Sequence, residues 1–339
     1  MNILRAGIIG LGVGEAHIPG FEASGGVAVT ALCDISPDQL AAVAARHPGC
    51  RLFTDPAAMI ADPEIDVVSI ASYDDAHTPQ ILAALRAGKH VFAEKPLCRT
   101  EDELAEIRRV MAEAPNLRLS SNLILRRSPR FLELRRRLRA GDLGDVYYLE
   151  GDYNYGRVHK LTDGWRGRMD GYSVTLGGGL HMIDLILWLL DERPEEVTAY
   201  GGGLATRGTR FSGMDTTVAL LRYSSGRLAK VASNFACVMP HHHGLTVHGT
   251  KASFQHSIEG ARLFTSREPS SQPIALDDAY PGMKKGDLIP SFIGAILGTG
   301  KSEVPERDVF DGMVVALAID RSIREGRPVR LFFDGARND

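Results

Sequence analysis

The sequence predicts two domains: an α/β domain on a doubly wound parallel sheet, then an α+β domain on an antiparallel sheet. Three observations carry this. The first 120 or so residues alternate short apolar runs with helix-patterned segments, the rhythm of repeated βα units. A glycine-rich turn, Gly10-Leu11-Gly12-Val13-Gly14, follows the first apolar run and opens the first helix pattern. Beyond Asn122 the pattern changes to strand-like runs joined by hairpin signals, such as Ser224-Ser225-Gly226. A chain of 339 residues suits two domains of about 150 each, here 1–121 and 122–339. The closing helix, near 308–325, is expected to pack back on the first domain.

The apolar runs 3–9, 27–32, 67–71, 90–93 and 117–120 read as buried parallel strands. Between them, 15–24, 37–46, 76–87 and 101–112 carry helical periodicity. Ser36 before Pro37, and Thr100 three residues before Glu103, are N-terminal capping signals. Gly88 is a terminator. Repeated units of this kind wind in the right-handed sense.

In the glycine turn, Gly10 and Gly12 suit close approach of backbone amides to a pyrophosphate at a helix N-terminus. A third glycine is expected at 15, where the chain has Glu15; Gly14 stands beside it. Asp34 ends the second strand and can bond the ribose hydroxyls of an adenosine. No arginine follows to accept a 2′-phosphate, so NAD is expected in preference to NADP. A plain turn, with Asp34 as a loop residue, is the bland alternative.

In the second domain, 129–139 reads as a basic helix and 145–155, 216–223, 226–235 and 245–248 as strands. Gly177-Gly178-Gly179-Leu180 leads into a helix on which His181 and Asp184 share a face. Tyr153, Arg157, His159 and Trp165 supply aromatic platforms and cations for a hydroxylated ligand. Asn122 and Arg126 could add to them. A packed loop with exposed charges competes with that reading. In His241-His242-His243 only the outer two share a strand face. With no carboxylate or cysteine near, no metal is expected there, and a loop beside the active site or an oligomer contact is.

Lysines and arginines number 39 against 42 acids, a net charge of −3, so neither a nucleic-acid partner nor a polyanionic tail is expected. The run 183–190 is far shorter than the ~20 residues a bilayer needs and carries Asp184, so no membrane partner is expected. Four cysteines without CxxC pairing suit a reducing compartment. The opening MNILRAGIIGLG lacks a signal-peptide pattern, and the cytoplasm is the expected location.

A lysine at the carboxyl end of a parallel strand sits where ligands bind in such sheets. Lys95, in Ala93-Glu94-Lys95-Pro96-Leu97, is so placed. Beside an oxidised nicotinamide its pKa should fall, making it a usable acid or base. On this motif, with the glycine turn, Asp34, GGGLHMIDL and the closing ALAIDRSIREGRPV, the chain resembles the Gfo/Idh/MocA family of nicotinamide-dependent oxidoreductases. The resemblance covers essentially the whole chain. It implies a Rossmann domain followed by an α+β domain with a large open, mostly antiparallel sheet, and a cis Lys95–Pro96 bond.

It also implies Lys95 and His181 as catalytic residues, Asp184 against substrate, and Gly10, Gly12, Gly14, Asp34, Ser72, His77, Glu94 and Lys95 around NAD. The substrate would be a sugar, a sugar derivative (sugar nucleotides included) or a cyclitol, oxidised or reduced at a secondary alcohol or ketone. The assembly would be a homodimer or homotetramer. The family often carries an aspartate four residues before the histidine, where this chain has Gly177. That departure, with Glu15, feeds an alternative: a non-catalytic nucleotide-binding sensor or regulator of the same fold. Lys95 and His181 count against it.

Overall fold

The computed structural model describes residues 3–333. The chain divides into two compact units, Met1–Arg127 with Met283–Phe310 and Ser128–Gly282 with Asp311–Asp339. One cut near 121 therefore does not describe it, because 283–310 returns to the first unit.

The first unit holds β1 (Leu4–Ile9), β2 (Val27–Cys33), β3 (Arg51–Phe53), β4 (Val67–Ile70), β5 (His90–Ala93) and β6 (Leu119–Ser121). All are parallel, in the order β3-β2-β1-β4-β5-β6. The sheet grows outward from β1 in both directions, which opens a crevice at the carboxyl ends of β1 and β4. β4 is buried throughout, as its apolar run requires of a central strand.

The caps form as read. Ser36 Oγ accepts from the Gln39 amide at 3.3 Å, and Thr100 and Glu103 close a reciprocal box. The first helix does not run 15–24. It breaks into Leu11–Gly14, a 3₁₀ turn Glu15–His17 and Ile18–Glu22; Pro19, lacking an amide hydrogen, sits in the first turn of the last piece. β3 and the helix Pro56–Ala61 had no sequence reading, being too short for a periodic pattern.

The returning segment contains the helix Ile289–Ile296 and the start of Glu306–Glu325. Polar ties hold it to the sheet: Ser120 Oγ donates to the Val304 carbonyl at 2.8 Å. Arg126, buried, reaches Asp308 at 2.7 Å and the Glu303 carbonyl at 2.9 Å. Such ties between residues nearly two hundred positions apart leave no periodic trace in sequence.

The second unit is built on β7 (Val146–Asn154), β8 (Glu196–Gly202), β9 (Thr216–Arg222), β10 (Leu228–Asn234), β11 (His242–Gly249), β12 (Ser253–Ser257), β13 (Gly260–Phe264), β14 (Ile274–Leu276) and β15 (Val329–Arg330). Their order is β14-β13-β12-β11-β7-β10-β9-β8-β15. Neighbours are antiparallel except β7 and β10. The helix Leu180–Leu190 packs on β7 and β10. Along β9, Thr217, Ala219 and Leu221 are buried while Val218 and Leu220 are exposed, as is Tyr200 on β8. One face is thus covered and the other open. No helix among the described residues is long and apolar enough to cross a membrane.

Gly20 gives a sharp stability test. A Cβ there would overlap the Gly286 carbonyl oxygen and lie 2.9 Å from the Gly286 carbon and Cα. Alanine in a helix is otherwise favoured over glycine by about 1 kcal/mol. Gly20→Ala is therefore expected to reverse that sign and destabilise by about 1–3 kcal/mol, read from the urea midpoint at unchanged slope.

Candidate active site

Five of the sequence-assigned positions lie just past strand carboxyl ends on one edge of the first unit's sheet. Gly10 follows β1, Asp34 β2, Ser72 β4, Lys95 β5 and Asn122 β6. Parallel pairing alone puts them there.

Each glycine of the turn has its own reason. Gly10 has φ +82°, and a Cβ on it would lie 2.5 Å from the Ala71 carbonyl carbon and 2.7 Å from the Ser72 nitrogen. No L-residue with a side chain fits. Gly12 has open space where its Cβ would be, the gap a close-lying pyrophosphate needs. At Gly14 a Cβ would meet Ile8 Cγ2 at 2.8 Å, so this glycine lets the helix lie on β1. The third role of the fingerprint therefore falls to Gly14, one residue earlier than the expected position. Glu15 turns outward and pairs with Arg46 at 2.7 Å. Asp34 accepts from the Leu11 amide at 2.8 Å and the Ser36 amide at 2.9 Å, fixing its carboxylate against the turn. A helix start with an open glycine and a fixed acid at the end of β2 fits a dinucleotide.

Lys95–Pro96 is a cis bond. His77 is buried between the two loops, its Nδ1 2.6 Å from the Pro96 carbonyl and its Nε2 3.1 Å from that of Ser72. The residue before Lys95 is the buried Glu94. It accepts from Asn122 Nδ2 at 2.9 Å, meets His17 Nε2 at 3.3 Å and pairs with Lys285 at 3.2 Å. Burial alone would raise this carboxyl. The His17 bond and the charges of Lys285, His17 and Lys95 outweigh it and hold Glu94 well below the usual carboxylate range. His17 is anchored in turn by Ser69 Oγ at 2.9 Å.

The second unit gathers rings around the start of the His181 helix. Tyr153 stacks near Tyr155 at 5.6 Å and near His181 at 6.1 Å, with Phe235 at 5.8 Å. His241 and His243 stand edge-on to it at 5.2 and 5.3 Å. The glycine run makes this possible, since each glycine yields its side-chain space to a different neighbour. A Cβ on Gly177 would overlap the Tyr172 hydroxyl, one on Gly178 would strike the Tyr153 and Phe235 rings, and one on Gly179 the Ser233 hydroxyl. The backbone from Thr175 to Gly179 takes a π turn before the α-helix begins.

Burial, then the nearby charges of Arg157 and His242, lower His241 to about 4. Burial and the neighbouring histidines lower His243 to about 3. Both imidazoles are therefore neutral near pH 7. Among the described residues no group of three or more histidine, cysteine, aspartate or glutamate side chains is placed to hold a metal.

The other assigned residues scatter. Trp165 meets Tyr172 edge-on at 6.0 Å and so joins the ring cluster, as does Arg157, lying 5.0 Å over Tyr155. Asp184 is buried on its helix and His159 is exposed on a short one. Asn122 and Arg126 have partners within the first unit. The first donates to Glu94, and the second to Asp308 and the Glu303 carbonyl. Sequence reading missed His17, Lys285 and Tyr172, which carry no motif. It weighed His241 and His243 only as metal ligands, neighbours of the active site or oligomer contacts.

Residues 4–122 match the NAD-binding Rossmann domain of the GFO/IDH/MocA oxidoreductases, and residues 131–255 match that family's C-terminal domain. The chain belongs to the Gfo/Idh/MocA family. Within the family it is 34% identical over 226 residues to inositol 2-dehydrogenase 2 of Saccharopolyspora erythraea. That match covers 64% of this chain and 63% of the relative's length. It is 26% identical over 336 residues to the myo-inositol 2-dehydrogenase of Thermotoga maritima, covering 97% of this chain and 98% of that one. In fold it is similar to the scyllo-inositol dehydrogenase of Lactobacillus casei, solved with NAD(H) and scyllo-inositol. The TM-score is 0.80 at 21% identity, over 97% of this chain and 99% of that one.

Two expectations follow from these contacts. Gly12→Ala should fold as well as the parent yet bind NADH at least about tenfold more weakly by fluorescence titration, whereas Gly14→Ala should lose about 1–3 kcal/mol of stability. Glu94, with its folded pKa below its unfolded one of about 4.3, contributes stability that is complete above that value and is lost as pH falls through the folded one. Glu94→Gln should cost about 1–3 kcal/mol at pH 7 and flatten the stability profile in this acid window, measured by denaturant unfolding between pH 3 and 7.

Proposed function

We propose that this protein is an NAD(H)-dependent oxidoreductase acting on a secondary alcohol or ketone of a cyclitol or a sugar. The observation that carries the reading is Lys95. It stands at the carboxyl end of β5, on the same sheet edge as the glycine turn and Asp34, next to buried Glu94. When bound, the nicotinamide supplies the two-electron acceptor or donor. Lys95 holds and exchanges the proton of the reacting hydroxyl, and His181 assists. Asp34 favours ribose hydroxyls over a 2′-phosphate, which supports NAD in preference to NADP. The ring cluster of the second unit presents flat faces and neutral polar tips, suited to a polyhydroxylated ring. Inositol dehydrogenases among the similar proteins support the cyclitol class. The open sheet face, with Tyr200, Val218 and Leu220 exposed, supports a homodimer or homotetramer assembled on it.

The test is absorbance at 340 nm with NAD+ or NADP+ over a panel of inositols, pyranoses and sugar nucleotides. NAD+ reduction with a cyclitol or sugar is expected, and Lys95→Ala should lower kcat by at least about a hundredfold while NADH still binds. Silence across the panel with NADH bound tightly would overturn the reading in favour of a nucleotide-binding sensor. A preference for NADP+ would overturn the role given to Asp34.

A further inference from the structure

The two carboxylate oxygens of Glu94 go to different partners within the first unit. Oε1 takes Asn122 Nδ2 at 2.9 Å, His17 Nε2 at 3.3 Å and Lys285 Nζ at 3.2 Å. Oε2 accepts from the Lys95 amide at 3.4 Å. One buried carboxylate is thus shared by two lysines. Lys95 follows it in the chain, and Lys285 reaches it from the returning segment with its own side chain half exposed. The backbone beside Lys285 is set, since Gly286 lies tight against Gly20 and accepts from the Ile289 amide at 3.0 Å. An ion pair made by a half-exposed lysine contributes little to stability. What it changes is the charge next to Lys95.

We infer that Lys285 is a positioning residue for the reaction: by sharing Glu94 it offsets the carboxylate charge beside Lys95 and keeps the Lys95 proton exchangeable with the substrate hydroxyl. This rests on the proposed function and deepens it. Burial raises the Glu94 carboxyl; against it act the His17 bond and then the lysine charges, Lys285 more than Lys95. Coupling between two charges is mutual, so the same carboxylate holds the proton on Lys95. An ammonium beside an uncompensated carboxylate stays protonated and is a poor base. A second cation on that carboxylate relieves the hold. His17 faces Glu94 from the turn after the glycine loop, Asn122 adds a neutral donor, and His77 meets the Pro96 carbonyl. These neighbours, with all others of Lys95, are common to parent and variant, so the difference between the two reads the Lys285 charge.

The test uses the full chain and two readouts. One is the pH dependence of trace acetylation of Lys95 by acetic anhydride, followed by mass spectrometry. The other is the pH profile of kcat/KM for NAD+ reduction with a cyclitol or sugar. Lys285→Met keeps the length of the side chain and removes its charge, whereas Lys285→Arg keeps the charge. In Lys285→Met the labelling curve and the acid limb of kcat/KM should both move up by about half a pH unit or more, the effect of one unit charge at about 10 Å. Lys285→Arg should leave both close to wild type. Either curve staying in place in Lys285→Met, or both moving as far in Lys285→Arg, overturns the inference and leaves the proposed function standing. A wild type that labels normally but turns over no cyclitol or sugar overturns the proposed function, and with it the part of Lys285 in the reaction.

Discussion

A carboxylate buried at the edge of a parallel sheet has to be surrounded by donors, and in the first unit Glu94 organises its neighbourhood for that reason. Unpaired, a charge so placed would cost several kcal/mol. The donors come from four segments. His17 comes from the turn after the glycine loop, Asn122 from the end of β6, Lys285 from the returning segment, and the Lys95 charge from the next residue. One side chain thereby ties the Lys95–Pro96 turn to the glycine turn and draws 283–310 over the helix Ile18–Glu22. The Gly20–Gly286 approach, which leaves no room for a Cβ on either side, is the steric counterpart of that electrostatic tie.

In the second unit the corresponding constraint is space. Three successive glycines bring the start of the His181 helix close enough for a tyrosine hydroxyl, two rings and a serine to occupy the side-chain positions. The cost is conformational, since a glycine run is a poor helix former, and a π turn stands where an α turn would otherwise begin. The whole run is buried, so the backbone is held by packing on every side.

What sequence made legible was whatever depends on local pattern. The βα rhythm, the caps at Ser36 and Thr100, the Gly10 turn, Asp34 and the Lys95–Pro96 motif are each set within a few residues, and they stand where the pattern put them. Gly14 was legible as a glycine but not in its role, because only packing against Ile8 distinguishes it from Glu15. What sequence hid is long-range. Asn122 and Arg126 have the chemistry of ligand contacts, and nothing in their neighbours betrays that they bond Glu94 and Asp308. His17, Lys285 and Tyr172 act through partners that no spacing rule joins. The return of 283–310 to the first unit is hidden for the same reason, since its contacts, polar as in Ser120–Val304 and apolar as in Phe292 against Phe92, join residues far apart in the chain.

The histidine run 241–243, at the start of β11, shows how burial sets the state of imidazole rings. Three histidines in a row invite a metal, yet alternation separates the middle ring, which turns to Asn154 at 3.4 Å, from the outer two. Those two face Tyr153 and are held neutral by burial. His243 is further fixed by the Tyr280 hydroxyl, 2.6 Å from its Nδ1. A neutral imidazole offers one donor and one acceptor and keeps them unchanged over the whole range in which a protonated one would repel the arginines nearby. With Arg157 and Arg166 drawn over Tyr155 and Trp165, the cations lie against aromatic faces. The polar groups that remain among the rings are imidazole and phenol, which hydrogen-bond by direction and without charge.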